Sequence, residues 1–181
     1  MQVQRFKTRS SRVVHKNPWF TVRHDTVTHP DGRKGNYFVV DRPDMVSIAA
    51  VNKKKEICLI TLHRYPTDTV SIEVPAGGTE GQRPLIAAKR ELAEETGYVA
   101  SRWKKIGQQQ TLNGLVTDWN HIYLATGLRM TKQHAQEEEG ISNVQMVPLR
   151  KAVRLIRKGT LQDTHSVAAI MTAALELGIL T

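Results

Sequence analysis

Residues 84–97 read Pro-Leu-Ile-Ala-Ala-Lys-Arg-Glu-Leu-Ala-Glu-Glu-Thr-Gly, and this segment restricts the fold more than any other. Proline favours the first turn of a helix and glycine the position past its last, so both ends of a helix are marked. At about 100° per residue, Leu85, Ala88 and Leu92 share one narrow stripe, the face expected to pack on a sheet. Glu91 and Glu95 lie about 40° from each other at the border of that stripe, and Glu94 points about 100° further round. Like charges at this spacing repel, so an ordinary helix gains nothing from the pair unless a cation sits between them. Hard cations such as Mg²⁺ take oxygen ligands and keep positions open for a substrate phosphate. The alternative is a solvated acidic face with Lys89 and Arg90 as neighbours.

The sheet for that helix is readable on either side. Strand-like runs occupy 19–29, 37–41, 46–51 and 57–62, separated by Pro30-Asp31-Gly32 and Asn52-Lys53, and they read as an antiparallel meander. Further strand-like stretches lie at 119–126 and 141–147. Helices are expected over about 149–158, before Gly159, and about 164–177, capped by Asp163 and stopped by Gly178. The expected class is α/β, a mixed sheet covered by helices with an N-terminal antiparallel strand region. At 181 residues, without repeats or linkers, the chain is expected to be a single domain over 1–181.

Charge narrows the partner. The net charge is +9, and residues 1–34 carry Arg5, Lys7, Arg9, Arg12, Lys16, Arg23, Arg33 and Lys34 against Asp25 and Asp31 alone. An excess of this size points to phosphate in nucleic acid, an anionic membrane or a small molecule. The aromatic fraction is 6% with no basic-aromatic interleaving, which argues against nucleic acid, and no stretch approaches the roughly 20 apolar residues of a membrane span. Cys58 is the sole cysteine, which excludes an internal disulfide and multi-cysteine metal sites and favours a reducing, cytoplasmic setting.

Upstream of the helix, Glu73-Val74-Pro75-Ala76-Gly77-Gly78 supplies a strand end and two glycines, where backbone can approach a bound ion closely. Strand, glycine loop and glutamate helix together resemble the Nudix box, over residues 73–98. Arg90, Glu91, Leu92, Glu94, Glu95, Gly97 and Tyr98 match its Arg-Glu-apolar-x-Glu-Glu-x-Gly-apolar end throughout. The front departs from the pattern: Gln82 stands where the family has Glu, and the loop after Gly77 is one residue short. Asn17-Pro18-Trp19-Phe20, Asp41-Arg42-Pro43-Asp44, Arg64-Tyr65-Pro66, Ile122-Tyr123-Leu124-Ala125 and Gly159-Thr160-Leu161-Gln162-Asp163 also look like the branch of ADP-ribose pyrophosphatases and nucleoside-diphosphate-sugar hydrolases.

The resemblance implies an α/β/α sandwich and Mg²⁺-dependent attack of water on a diphosphate, with Mn²⁺ as the substitute ion. It implies Glu91, Glu95, the supporting Glu94 and the carbonyl of Ala76 as metal ligands. It gives Arg64 to phosphate, Arg42 to substrate, and Trp19 to base stacking in a homodimer joined through strands in 1–44. Arg64 also reads as a surface arginine, Glu73 beside the loop orients Arg64 or a ribose or is an edge-strand acid, and core packing is the more common fate of a strand aromatic such as Trp19. Glu138, then Glu137, in Gln136-Glu137-Glu138-Glu139-Gly140 is the expected general base, with Glu94 as the alternative. Asn113 replaces the proline described for ADP-ribose-preferring members. ADP-ribose leads as substrate, followed by nucleotide sugars and dinucleotides; a non-catalytic nucleotide-binding module and RNA end processing are the other readings.

Overall fold

A computed structural model describes residues 3–131 and 136–180, and the chain separates into two compact units, 1–43 with 110–119, and 44–109 with 120–181. The first unit is an antiparallel sheet of β1 (Lys7–Lys16), β2 (Thr21–Thr28) and β3 (Lys34–Asp41), in that order. Segment 110–119 is tied to β3, where the Val40 amide donates to the Leu115 carbonyl at 2.9 Å and the Thr117 amide donates to the Val40 carbonyl at 3.1 Å. Every residue of β1 is exposed, and its sequence has no apolar alternation. It is a strand because β2 pairs with it.

The second unit is built on β4 (Met45–Val51), β5 (Glu56–Arg64), β6 (Thr69–Glu73), β7 (Ala76–Gly78), β8 (Tyr98–Gln110), β9 (Trp119–Met130) and β10 (Ile141–Pro148). The main order is β10-β5-β4-β9-β8, with β6 added to β5 and β7 to β4. β4 runs parallel to β9 and antiparallel to β5 and β7, so the sheet is mixed. The expected meander is therefore divided: β2 and β3 belong to one sheet, β4 and β5 to the other. Periodicity marks a strand but not its neighbour, and β4, apolar and buried on both faces, suits a central position beside a parallel strand.

Helices α1 (Pro84–Thr96), α2 (Leu149–Arg157) and α3 (Thr164–Glu176) start and stop close to the expected punctuation. Val46, Ile48 and Ala50 pack with Ala87, Ala88 and Leu92 of α1. The alternate residues Ala49 and Val51 pack with Leu149 and Ala152 of α2 and with Ala169, Ile170, Ala173 and Ala174 of α3. Helices thus cover both faces of the sheet, as an α/β/α sandwich requires. Leu92 is fully buried, which contributes about 1.5–3 kcal/mol. Leu85, expected on this stripe, is 37% exposed. The small Ala87 and Ala88 take the sheet-facing place, which turns Glu91 and Glu95 into the buried face rather than leaving them at its border. No helix among the described residues is long and apolar enough to cross a membrane.

Candidate active site

The site begins where α1 meets the glycine strand. Gly97 ends α1 in a left-handed conformation (φ 69°), its amide donating to the Ala93 carbonyl at 2.9 Å. At the other end β7 pairs with β4, Val46 opposite Gly77 and Ser47 opposite Ala76, so the expected glycine loop begins as a short strand paired with β4. A Cβ on Gly77 would collide with the Glu91 carboxylate. A side chain there would have to push that carboxylate aside. The Ala76 amide donates to Glu95 Oε2 at 2.8 Å.

Arg90 cross-links loop and helix. Its Nη2 donates to the Gly78 carbonyl at 3.1 Å and lies 2.8 Å from Glu91 Oε1 and 3.6 Å from Glu80 Oε2, while Nη1 donates to Glu94 Oε2 at 2.9 Å. Glu80 is the acid nearest Gln82, and it stands in left-handed backbone (φ 50°) before Gly81. The loop is further pinned by the Thr79 amide donating to the Asp44 carbonyl at 2.8 Å. These supports of the shortened loop were not legible in the sequence.

Glu91 and Glu95 are 7% and 6% exposed. Burial pushes the Glu95 carboxyl up to about 8, against the Ala76 amide that lowers it and with the charges of Glu91 and Glu139 adding to the rise. Burial likewise raises Glu91 to about 6, opposed by Arg90 and reinforced by Glu94 and Glu139. Two desolvated carboxylates facing a backbone cradle form a hard-oxygen set that favours an added cation. Among the described residues no three acidic, His or Cys side chains converge closely enough to hold a metal alone. An ion held here therefore draws on backbone and on water or substrate oxygens too, as Mg²⁺ does.

Arg64, at the end of β5, forms a fork with Glu73 of β6, Nε to Oε1 at 2.8 Å and Nη2 to Oε2 at 2.6 Å. Glu73 is 3% exposed, and the charges of Glu95 and Asp163 are among those acting on Arg64, which ties this pair electrically to the helix carboxylates. Arg64, Glu73, Thr69, Ser71, Gln162 and Asp163 help to line a cleft of about 350 Å³. Glu137 and Glu138 are exposed on the turn before β10, where the Gly140 amide donates to the Glu137 carbonyl at 3.2 Å. Their neighbour Glu139 is the acid of this turn whose charge raises both buried glutamates, a ranking the sequence alone could not supply.

Trp19 and Arg42 belong to the other unit. Trp19 precedes β2, on a turn where Asn17 Oδ1 accepts from the amides of Trp19 and Phe20 at 2.9 Å each. This displays the indole, 75% exposed, and overturns the core reading of Trp19. Arg42 Nε donates to Asp118 Oδ2 at 2.9 Å, and Asp118 was not singled out in the sequence because 76 positions separate the two.

A family model described as the NUDIX domain matches residues 41–169, and one described as the nucleoside diphosphate sugar hydrolase N-terminal domain matches residues 6–40. The ADP-ribose pyrophosphatase of Mycobacterium tuberculosis is 30% identical over 169 residues, covering 92% of this chain and 82% of that protein. The ADP-ribose pyrophosphatase of Bacillus subtilis is 30% identical, covering 81% and 80%. The GDP-mannose pyrophosphatase of Cronobacter sakazakii is 28% identical, covering 86% and 88%. A solved structure described as an ADP compounds hydrolase superposes with a TM-score of 0.86 at 20% identity, over 98% of this chain and 97% of that one, a likeness of fold.

Proposed function

The chain belongs to the NUDIX family as a pyrophosphohydrolase of nucleoside-diphosphate derivatives, and from that premise we propose that it splits ADP-ribose into AMP and ribose 5-phosphate with Mg²⁺ as its ion. The observation that carries the reading is the buried Glu91–Glu95 pair, set against a glycine cradle, where among the described residues Arg90 makes an ion pair with Glu91 and the Ala76 amide donates to Glu95. Mn²⁺ is the substitute ion, and the Ala76 carbonyl and Glu94 complete the proposed donor set. Such an ion supplies charge neutralisation at the diphosphate and a more acidic water.

The remaining work falls to side chains. Arg64, held in plane by Glu73, presents a guanidinium to phosphate oxygens. A carboxylate of the Glu137–Glu138–Glu139 turn takes the proton of the attacking water. Glu139 is the first choice on its electrostatic reach to Glu91 and Glu95, ahead of Glu138 and Glu137. Replacing each by Gln in turn identifies the base as the one whose loss lowers kcat at least about a hundredfold. Trp19 and Arg42 bind the nucleoside end. The exposed β1, with Val13 and Val14, and Phe38 of β3 support a homodimer surface, and the lone Cys58 suits a reducing, cytoplasmic setting.

The discriminating experiment is a screen of ADP-ribose, GDP-mannose and dinucleoside diphosphates with and without Mg²⁺. Release of AMP from ADP-ribose only with the metal is expected; a faster rate on GDP-mannose moves the chain to nucleotide sugars. Binding without turnover of any compound would establish a non-catalytic module.

A further inference from the structure

We infer that Asp118, together with Thr111, is a positioning residue that fixes the guanidinium of Arg42 as one wall of the nucleotide pocket. This rests on the nucleotide-binding reading above. Asp118 cannot touch a ligand itself, since its side chain is 0% exposed. Its oxygens are already engaged: Oδ2 accepts from Arg42 Nε at 2.9 Å and lies 2.6 Å from Nη2, and Oδ1 accepts from Thr111 Oγ1 at 2.5 Å. Arg42 Nη2 also donates to Thr111 Oγ1 at 3.4 Å.

Arg42 is therefore gripped along its Nε–Nη2 edge, and its planar group cannot turn about its last bonds. About a third of the side chain, 34%, stays open to solvent, and Arg42 helps to line a cleft of about 320 Å³ with Trp19, Phe20 and Asp41. Trp19 is displayed on the same cleft by the Asn17 turn. A guanidinium held in one plane has a face for stacking, and its Nη1 edge, which has no hydrogen bond among the described residues, can meet an anionic oxygen. Beside an exposed indole, that combination suits a flat heteroaromatic ring carrying a phosphate. Complete burial of a carboxylate is unfavourable unless its partner is fixed, and here the partner's fixation is the result. A surface ion pair between the same residue types would leave both groups wet and the guanidinium free to rotate.

The test uses the full chain with AMP and ADP-ribose as ligands, titrated calorimetrically in EDTA, alongside steady-state kinetics with Mg²⁺. Asp118→Asn is expected to raise Kd and KM about tenfold with kcat within about twofold, and Thr111→Val to raise them about threefold, as for loss of one or two polar contacts. Arg42→Lys, which keeps the charge but not the fork, is expected to match Asp118→Asn. The double variant Asp118→Asn/Arg42→Lys is expected to be no worse than either single change, because both act through one group. Wild-type affinity in Asp118→Asn, additive losses in the double variant, or a fall in kcat at unchanged KM would each overturn the positioning role. If Asp118→Asn loses its native near-ultraviolet circular dichroism, Thr111→Val decides, since it leaves the ion pair intact. If the wild-type protein neither binds AMP nor cleaves any nucleoside diphosphate, the nucleotide reading falls and the positioning role with it. If it does both and the variants do likewise, only the positioning role falls.

Discussion

Asp118, in the unit built on β1 to β3, and Glu95, on α1, are both sealed from solvent, at 1% and 6% exposure. The first meets a guanidinium fork and a threonine hydroxyl. The second accepts, among the described residues, from the Ala76 amide, and a second carboxylate, Glu91, stands one turn away on the same buried face. Burying a charge is tolerated when the chain supplies the counter-charge and hydrogen bonds, and is expensive otherwise. The chain thus completes one carboxylate from its own residues, and in the proposed reading the other is completed by an added cation. Completed carboxylates hold geometry; the incomplete pair is where chemistry is expected.

The sharpest way to break this contrast is Glu95→Gln. Removing the charge is expected to lower kcat/KM at least about a hundredfold with Mg²⁺, by loss of the ion's charge stabilisation. In EDTA the same variant is expected to melt no lower than wild type, because burial already disfavours the charged form of the carboxyl it replaces. Full activity would sink the metal site, and a large loss of stability would make Glu95 a structural acid like Asp118.

Gly77→Ala tests the cradle rather than the charge. The new Cβ has to displace the Glu91 carboxylate, so the Mg²⁺ concentration for half-maximal rate is expected to rise on the order of tenfold, read from metal titrations of activity. An unchanged metal dependence would show that Glu91 is not held by the loop.

Asp163 extends the comparison to a carboxylate completed by hydrogen bonds. Burial would raise its pKa, but His165 and Ser166 more than offset this and hold it down at about 2. With the folded value below the unfolded one, the stabilisation is present above about pH 4 and is lost as the pH falls towards 2. Asp163 caps α3 through the Ser166 amide at 2.8 Å, and Ser166 Oγ accepts from the Val74 amide at 2.9 Å, next to Glu73. Asp163→Ala is expected to cost about 1–2 kcal/mol at pH 7 and to flatten the acid limb of stability between about pH 4 and 2, measured by urea unfolding. A parallel loss at every pH would remove the titration from the account.

Local chemistry was legible in the sequence wherever one segment carries its own signal. Pro84 and Gly97 bounded α1, Asp163 and Gly178 bounded α3, and the spacing of Glu91 and Glu95 placed them together. Strands whose identity comes from a neighbour were not legible: β1 and β8 are largely polar and exposed, and β7 is two-thirds glycine. Leu85 was misplaced because a helical wheel gives angles between residues but not the rotation of the whole helix against its sheet. The Arg42–Asp118 pair was invisible for a different reason, since no local pattern links residues so far apart.

The parallel pairing of β4 with β9 joins Met45 to Asn120 and Val51 to Thr126, with β5, β6, β7, α1 and β8 lying between them in the chain. Loop closure on that scale must precede the contacts that reward it, which makes this pairing slow relative to the helices and hairpins. β4 is also the strand that holds β7, and β7 holds the backbone against which Glu91 and Glu95 are set. The backbone of the candidate site is thus expected to settle late on the folding path, and a chain stalled short of it is expected to be silent rather than partly active.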